Sequence, residues 1–218
     1  MTWIKICGIT NLKDALEAVS LGVNALGFVF APSPRRVEPP TVREISRRLS
    51  SSVLKVGVFV NQEFSEVERI ASECGLTALQ FHGDESPEYC QRFSLPIIKA
   101  IRIRSLESLE EMGRFSGATL LLDTFSSLKA GGTGIPFPLE IASKAKRRSD
   151  FILSGGLTPA NVGEAVRRVR PFGVDVSSGV ESKPGKKDLS RMVDFVKEVR
   201  KADEKAGQKE TIWSARRV

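Results

Sequence analysis

The sequence predicts an α/β protein, a (β/α)₈ TIM barrel folded as a single domain, and three observations lead to this prediction. Short apolar segments rich in Val, Ile, Leu and Phe are typical of parallel strands buried on both faces. Segments of helical periodicity alternate strictly with them, and the spacing of about 20–30 residues between strands suits right-handed βαβ units. The chain has 218 residues, which suits one barrel of about 200–250 residues.

The predicted strands are short and mostly free of charged residues. They lie at 3–7, 24–30, 53–60, 77–81, 96–101, 118–123, 150–154 and 172–176. Several of the predicted helices begin at a recognisable signal, such as Thr41, Ser86-Pro87 or Thr158-Pro159. The helices lie near 12–21, 41–50, 64–74, 86–93, 106–114, 138–147, 159–169 and 188–201. No linker divides these elements, so we expect a catalytic domain over 1–202 and a polar tail over 203–218. An open doubly wound sheet is the alternative, but no Gly-x-Gly-x-x-Gly turn follows the first strand.

The composition narrows the function classes. The net charge of +7 and the pI of about 9.5 suit either nucleic acid or a small anionic substrate. The positive charge is dispersed, and one tyrosine and two tryptophans offer no aromatic platform for stacked bases. We therefore expect a small phosphorylated molecule as the partner and no nucleic acid. No apolar run approaches the roughly 20 residues that span a bilayer, so no membrane is expected either.

The cysteine and histidine contents argue against a disulfide framework and a metal site. Cys7, Cys74 and Cys90 are an odd number with no framework spacing, which favours reduced thiols in the cytoplasm. His82 is the only histidine, so no His/Cys metal cluster can be assembled. We expect no metal. The sequence leaves open whether the protein is a monomer or a homodimer.

The carboxyl ends of barrel strands and the loops after them form the active face of this fold. The first strand ends in Cys7 and the sixth in Asp123. A free cysteine is usually a small buried hydrophobe, and an aspartate at a strand end often bonds only its own loop. Together they supply the base and the acid that a proton-shuttling site needs. A thiolate requires a cationic neighbour, for which Lys5 and Arg35 are candidates.

The loops after the seventh and eighth strands indicate a phosphate site. Gly155 and Gly156 allow backbone N–H groups to approach an anion closely. Ser177, Ser178 and Gly179 can open a short extra helix, and this pair of loops is the recurrent phosphate site of such barrels. The glycine-rich run at 131–134 after the sixth strand predicts either a second anion grip or a mobile lid.

The motifs at the strand ends resemble those of the phosphoribosylanthranilate isomerase family, over about residues 3–200. The matching segments are Lys5-Ile6-Cys7-Gly8-Ile9-Thr10, Gly27-Phe28-Val29-Phe30, Ser33-Pro34-Arg35, Val56-Gly57-Val58-Phe59-Val60-Asn61, Gln80-Phe81-His82-Gly83, Leu121-Leu122-Asp123-Thr124, Gly131-Gly132-Thr133-Gly134, Leu153-Ser154-Gly155-Gly156-Leu157-Thr158 and Gly173-Val174-Asp175-Val176-Ser177-Ser178-Gly179-Val180-Glu181.

The resemblance implies a cofactor-free Amadori rearrangement of N-(5-phosphoribosyl)anthranilate in tryptophan biosynthesis. It implies that Asp123 protonates the furanose ring oxygen and that Cys7 takes the proton from ribose C2. Arg35 matches the residue that meets the anthranilate, although a shift of one position would assign this role to Arg36. The glycines and serines of the last two loops match the phosphate grip. The other substrate-binding candidates are Gln80, His82, Gly132, Thr133, Gly134 and Asp175.

The sequence departs from the family in two places, and rival assignments exist. The tail after about residue 202 is longer than the family needs. Phe137-Pro138-Leu139 stands where the family usually has Phe-Asp-Trp, which bears on closure of the sixth loop. Ribulose-phosphate epimerase would need more than one histidine, and indole-glycerol-phosphate synthase would need lysines at strands 2, 3 or 4. A bifunctional sugar isomerase would use two aspartates, against which Cys7 speaks. Another phosphate-binding barrel enzyme of sugar-phosphate metabolism, or a phosphate-sensing barrel without catalysis, remains the alternative.

Overall fold

Eight parallel strands close into a barrel in which each strand pairs with the next and the eighth with the first. This computed structural model describes residues 1–123 and 139–206. The strands are β1 Trp3–Cys7, β2 Ala25–Val29, β3 Leu54–Phe59, β4 Ala78–Phe81, β5 Ile97–Arg102, β6 Thr119–Asp123, β7 Phe151–Ser154 and β8 Gly173–Val176. The predicted fold class is confirmed, and every predicted strand is present.

Helices connect the strands on the outside of the barrel. They are α1 Leu12–Ser20, α2 Pro39–Arg47, α3 Phe64–Cys74, α4 Pro87–Cys90, α5 Leu139–Lys146, α6 Pro159–Val169 and α7 Leu189–Ala206. The side chain of Asn11 caps α1 by accepting the Asp14 N–H at 2.9 Å. None of the helices in this part of the chain is both long and apolar enough to cross a membrane.

Three elements differ from the sequence prediction. The segment between β5 and β6 forms a 3₁₀ helix, Glu107–Arg114, because Leu106 offers no capping side chain and Gly113 weakens the last turn. Helix α4 is a single turn, Pro87–Cys90, and is shorter than the predicted helix at 86–93. The final helix continues to Ala206, past the boundary expected at residue 202.

The loop after β8 carries structure that the sequence did not fully predict. A short 3₁₀ helix, Ser178–Val180, is the extra helix expected there. An antiparallel hairpin follows, with β9 Glu181–Lys183 and β10 Lys186–Lys187. Gly185 adopts φ +77° in its turn, a conformation that a side chain would oppose. This hairpin folds back towards the barrel mouth.

The alternation of side chains along each strand divides the core in two. Inside the barrel, the amino-terminal half is filled by an apolar plug of Trp3, Ala25, Val56, Ala78, Ile98, Ala100, Leu121 and Ile152. The larger cluster lies between the sheet and the helices. Successive residues of a strand face opposite sides, so Cys7 shares the inner face with Trp3, and Asp123 shares it with Leu121. The plug therefore supports a polar layer at the mouth.

Candidate active site at the carboxyl ends of the strands

A cavity of about 300 Å³ opens at the carboxyl ends of the strands. Cys7 and Asp123 both line it, from the ends of β1 and β6. The other predicted site residues in its wall are Arg35, Gln80, His82, Gly155, Gly156, Asp175, Ser177 and Ser178. Residues from distant parts of the chain thus meet in one recess, as the barrel topology requires.

The thiol of Cys7 is buried next to a buried charge pair. Lys5 is 0% exposed, and its Nζ donates to Oδ1 of Asp175 at 2.9 Å. Burial raises the pKa of the Cys7 thiol, and the charge of Asp175 adds to this, while Lys5 opposes it through its charge and a hydrogen bond. Burial alone would lower the pKa of Lys5, but Asp175 and Cys7 outweigh it and raise that pKa. Lys5 therefore stays an ammonium beside the thiol.

Gly27 makes the space in which this group sits. It pairs with Cys7 across the β1–β2 ladder. A Cβ on Gly27 would lie 2.7 Å from Sγ of Cys7 and 3.1 Å from Cε of Lys5. Both distances are shorter than ordinary carbon contacts, so any larger residue would displace the thiol or the ammonium.

Lys187, on the β9–β10 hairpin, holds the end of β1 from the other side. Its Nζ donates to the carbonyl of Cys7 at 2.6 Å, to the carbonyl of Ser177 at 3.2 Å and to Oε1 of Glu181 at 3.0 Å. Burial lowers the pKa of Lys187, and Glu181 opposes this shift. Sequence reasoning missed Lys187, because a lysine pair beside a Pro-Gly turn looks like solvated surface. The one available signal is the pair Pro184-Gly185, which is typical of a turn.

Arg35 enters the cavity wall through a two-point ion pair. Its Nε and Nη2 donate to Oε1 and Oε2 of Glu181 at 2.8 and 2.7 Å. This geometry is the strong, planar form of a charge-assisted hydrogen bond. The paired hydrogen bonds raise the pKa of Arg35. Burial alone would raise the pKa of Glu181, but Arg35 and Lys187 together lower it.

Arg36 lies elsewhere, although it is the next residue. Its side chain is exposed and forms a surface ion pair with Glu38 at 3.3 Å. It does not line the cavity. Of the two arginines that the sequence left open for the anthranilate, Arg35 is the one that lines the cavity with Cys7 and the loops after β7 and β8.

Asp123 belongs to a chain of three polar side chains across the mouth. Its Oδ2 lies 2.9 Å from Nε2 of His82, and Nδ1 of His82 lies 3.1 Å from Nε2 of Gln80. Gln80 is 1% exposed, and its Oε1 is buried without a hydrogen-bond partner among the described residues. The histidine therefore orients the aspartate, and the glutamine orients the histidine.

The loops after β7 and β8 form the other end of the cavity. Gly155 and Gly156 adopt φ values of +90° and +64°, which expose their backbone to the recess. Ser177 Oγ is buried and has no partner in the described part of the protein. Gly179 does not line the cavity; a Cβ there would collide with the carbonyl oxygen of Leu157, so it permits the two loops to pack together.

Some predicted residues lie outside the described part of the chain. These are Gly132, Thr133 and Gly134 of the sixth loop, Pro138, and the tail beyond Ala206. Leu139 is described, and it begins α5 with its side chain buried.

Comparison with known proteins points to one family. Residues 4–198 match the profile described as N-(5'phosphoribosyl)anthranilate (PRA) isomerase. A protein of that name from Desulforudis audaxviator is 50% identical over 204 residues, covering 93% of this chain and 100% of the relative. The crystal structure of phosphoribosyl anthranilate isomerase from Thermotoga maritima superposes with a TM-score of 0.87 at 42% identity, covering 92% of this chain and 100% of that one.

A further solved structure carries a ligand. It is a phosphoribosyl anthranilate isomerase in complex with reduced 1-(o-carboxyphenylamino)-1-deoxyribulose 5-phosphate, with a TM-score of 0.84 and 40% identity. The alignment covers 92% of this chain and all of that one. The chain belongs to the N-(5'-phosphoribosyl)anthranilate isomerase family.

Proposed function

We propose that the chain isomerises N-(5-phosphoribosyl)anthranilate to 1-(2-carboxyphenylamino)-1-deoxyribulose 5-phosphate in tryptophan biosynthesis, with Asp123 as general acid and Cys7 as general base. The observation that carries the assignment is that both side chains line one cavity, together with the glycine and serine loops. An acid and a base on one bound sugar are what the reaction requires.

Ring opening is the first step. Protonated Asp123 gives its proton to the furanose ring oxygen, the C1–O bond breaks, and the anilino nitrogen lone pair forms the C1=N bond of a Schiff base. The carboxylate left behind accepts a hydrogen bond from His82, whose Nε2 is 2.9 Å away. This contact stabilises the charge that develops on Asp123.

Proton abstraction is the second step. Cys7 takes the proton from C2, the electrons of that C–H bond form C1=C2, and the π electrons of the C1=N bond return to the nitrogen. The resulting enolamine becomes the ketone when C1 gains a proton and the C2 hydroxyl loses one. C2 is oxidised and C1 reduced within one molecule, so no external oxidant is consumed. A buried thiol with a raised pKa is a strong base once ionised, and Lys5 stabilises its thiolate.

The two charged ends of the substrate need donors. We assign the phosphate to Gly155, Gly156, Ser177 and Ser178, because positive φ exposes the backbone of the glycines and Ser177 Oγ is unpartnered among the described residues. We assign the anthranilate to Arg35, the guanidinium in the cavity wall. Gly132, Thr133, Gly134 and Asp175 remain candidates for the rest of the substrate.

Assembly and location are part of the proposal. A related structure consists of monomers made from the dimeric Thermotoga maritima enzyme, so both a monomer and a homodimer are compatible with this family. We place the protein in the cytoplasm as a biosynthetic enzyme with reduced cysteines, and we expect no nucleic-acid partner.

One assay tests the proposed function. The protein is mixed with freshly generated phosphoribosylanthranilate, and the loss of anthranilate-type fluorescence is followed. We expect acceleration by the wild type, and a loss of at least about 10²-fold for Cys7→Ala and for Asp123→Asn. Both variants should still bind reduced 1-(o-carboxyphenylamino)-1-deoxyribulose 5-phosphate. No acceleration by the wild type would refute the activity, and would favour a phosphate-sensing barrel if the analogue still bound.

A further inference from the structure

A second buried ion pair lies outside the barrel wall, beneath the loop that carries His82. Lys99 Nζ and Glu85 Oε2 are 2.8 Å apart, and the two residues are 3% and 7% exposed. Ile98 and Ala100 belong to the plug inside the barrel, so Lys99, between them on β5, points away from the cavity. Neither residue lines the cavity, and the mechanism above does not use them.

The Lys99–Glu85 pair hydrogen-bonds both backbone groups of Gly83, its carbonyl and its N–H. Lys99 Nζ donates to the carbonyl of Gly83 at 2.7 Å. Glu85 accepts the N–H of Gly83 at 2.9 Å and the N–H of Asn61 at 2.8 Å. All of these bonds involve a charged group, which makes them shorter and stronger than neutral ones. The peptide that follows His82 is thus fixed to β5 and to the end of β3.

Local backbone features fit this arrangement. A Cβ on Gly83 would lie 2.8 Å from Oε1 of Glu85 and would collide with Oδ1 of Asn61. Asn61 is held in the left-handed region at φ +52°, and its Oδ1 accepts the N–H of Asp84 at 2.7 Å. The loops after β3 and β4 are therefore one fixed unit, with Glu85 at its centre.

This unit determines where the imidazole of His82 stands. The N–H of His82 donates to the carbonyl of Phe59 at 2.9 Å, and its own carbonyl accepts from Arg102 at 3.0 Å. The ring then reaches Asp123 at 2.9 Å. A displacement of the loop by about 1 Å is enough to break such a contact and to slow a reaction by about 10²-fold.

Stability alone does not explain why the Lys99–Glu85 ion pair is buried here. Replacing a buried ion pair by apolar residues of similar volume is often neutral or stabilising, whereas removing one partner strongly destabilises. Here the charged groups bind the backbone of the loop that carries His82, whose ring contacts the proposed acid Asp123.

We propose that Glu85 and Lys99 are positioning residues, which fix the imidazole of His82 and through it the carboxyl group of Asp123. The catalytic consequence rests on the proposed function, in which Asp123 is the acid. The structural part, the orientation of His82, does not depend on any activity.

The composition provides a clean probe, because His82 is the only histidine in the chain. Protein without an affinity tag is labelled with ¹⁵N-histidine, and the two ring nitrogens are recorded by NMR at a pH where the ring is neutral. In the wild type we expect one defined tautomer. In Glu85→Gln, and in the double variant Glu85→Gln/Lys99→Met, we expect averaged tautomers and broadened ring signals.

Kinetics supply the second readout. We expect kcat to fall roughly tenfold to a hundredfold in the double variant, with KM changed less than about threefold, because substrate-binding groups remain in place. The double variant leaves no buried unpaired charge, so it folds even where Lys99→Met alone does not. Asp203→Asn is the matched control, since Asp203 is 5% exposed and also accepts a backbone N–H, that of Thr2 at 2.8 Å, at the far end of β1.

The outcomes distinguish the positioning role of Glu85 and Lys99 from the proposed isomerase function. An unchanged His82 tautomer in the folded double variant overturns the positioning role, as does an equal fall in kcat for Asp203→Asn. If the double variant is unfolded by circular dichroism, the pair is a stability element and the proposal is wrong. If the wild type has no isomerase activity but the tautomer changes as expected, the positioning of His82 stands and the proposed function fails.

Discussion

Lys5 Nζ lies 2.9 Å from Oδ1 of Asp175, and its fully buried side chain stands beside the thiol of Cys7 inside the barrel. A carboxylate and a thiol thus compete for one cation. Burial holds the thiol pKa high, and Lys5 is the neighbour that opposes this shift most strongly. The basicity of Cys7 depends on this shared ammonium more than on any other neighbour.

Replacing Lys5 therefore changes the pH dependence of the reaction. Lys5→Met removes a charge that favours the thiolate, so the pKa of Cys7 rises further and the rising limb of kcat/KM moves to higher pH. At neutral pH kcat/KM should fall at least about tenfold. The measurement is a pH–rate profile, combined with the ultraviolet absorbance of the thiolate. Lys5→Met/Asp175→Asn is the companion variant, because it leaves no unpaired carboxylate. An unshifted profile in both variants would show that Lys5 does not tune the base.

Gly27→Ala should disturb the site by steric crowding alone. Its new Cβ would lie 2.7 Å from Sγ of Cys7, so we expect kcat to fall by about tenfold or more and the free energy of unfolding to fall by about 1–3 kcal/mol. Gly113→Ala is the matched control, because a Cβ at Gly113 meets nothing within 4 Å. Steady-state kinetics and urea unfolding check both variants. Full activity in Gly27→Ala would show that the reaction does not depend on the present position of the Cys7 thiol.

The neighbouring arginines should behave differently. Arg35→Lys keeps the charge but loses the two-point geometry with Glu181, and we expect KM to rise about tenfold, the equivalent of roughly 1.4 kcal/mol of binding energy. Arg36→Lys changes a surface pair only, and we expect KM within about twofold of the wild type. Steady-state kinetics measure KM for both variants. A larger rise of KM in Arg36→Lys than in Arg35→Lys would assign the anthranilate to Arg36.

Two cysteines outside the site should make the protein sensitive to alkali. Burial raises the pKa of Cys74 and of Cys90 to about 11, whereas an unfolded thiol titrates near 8.5. The folded state keeps protons that the unfolded state loses, so the contribution is complete below about pH 8.5 and is lost as the pH rises through 11. Each thiol should account for at most about 3.4 kcal/mol over this interval, which is the full conversion of the shift.

Urea unfolding under reducing conditions, repeated across that pH range, measures the effect. Cys74→Ala/Cys90→Ala is expected to have a shallower decline of unfolding free energy with pH than the wild type. The thiols are 1% and 4% exposed, so the removed methyl-sized volume should lower stability at neutral pH by a constant amount. Parallel declines in the two proteins would show that these thiols do not titrate on unfolding.

The sequence allowed the barrel and much of its mouth to be predicted, for physical reasons. Strands buried on both faces have a continuous apolar signature, and strand β1, Trp3–Cys7, was predicted to the residue. Once the strand ends are known, the topology itself brings Cys7, Asp123 and Gly155 to one face. Local pattern and fold symmetry are sufficient for these residues.

The ionic contacts were not predictable in the same way. Lys187 looks like an ordinary surface lysine in a basic chain, and Lys99 falls in a predicted strand that indicates no partner for it, yet the two are 4% and 3% exposed. Their burial depends on which carboxylate or carbonyl the folded backbone brings within reach. The hydrophobic periodicity of a sequence carries no information about such partners. The choice between Arg35 and Arg36 likewise required the direction of each side chain.

The contacts of Lys187 can form only after most of the chain has been synthesised. Its bond to the Cys7 carbonyl joins positions 180 residues apart, and the β1–β8 seam closes the barrel over nearly the same span. On a ribosome, which adds about 5–20 residues per second, the thiol emerges almost first, whereas Asp175, Lys187 and the last wall of the cavity follow only after most of the chain. A truncated product that ends before the hairpin therefore has the proposed base Cys7 but not its full enclosure, which is complete only when the last segment docks.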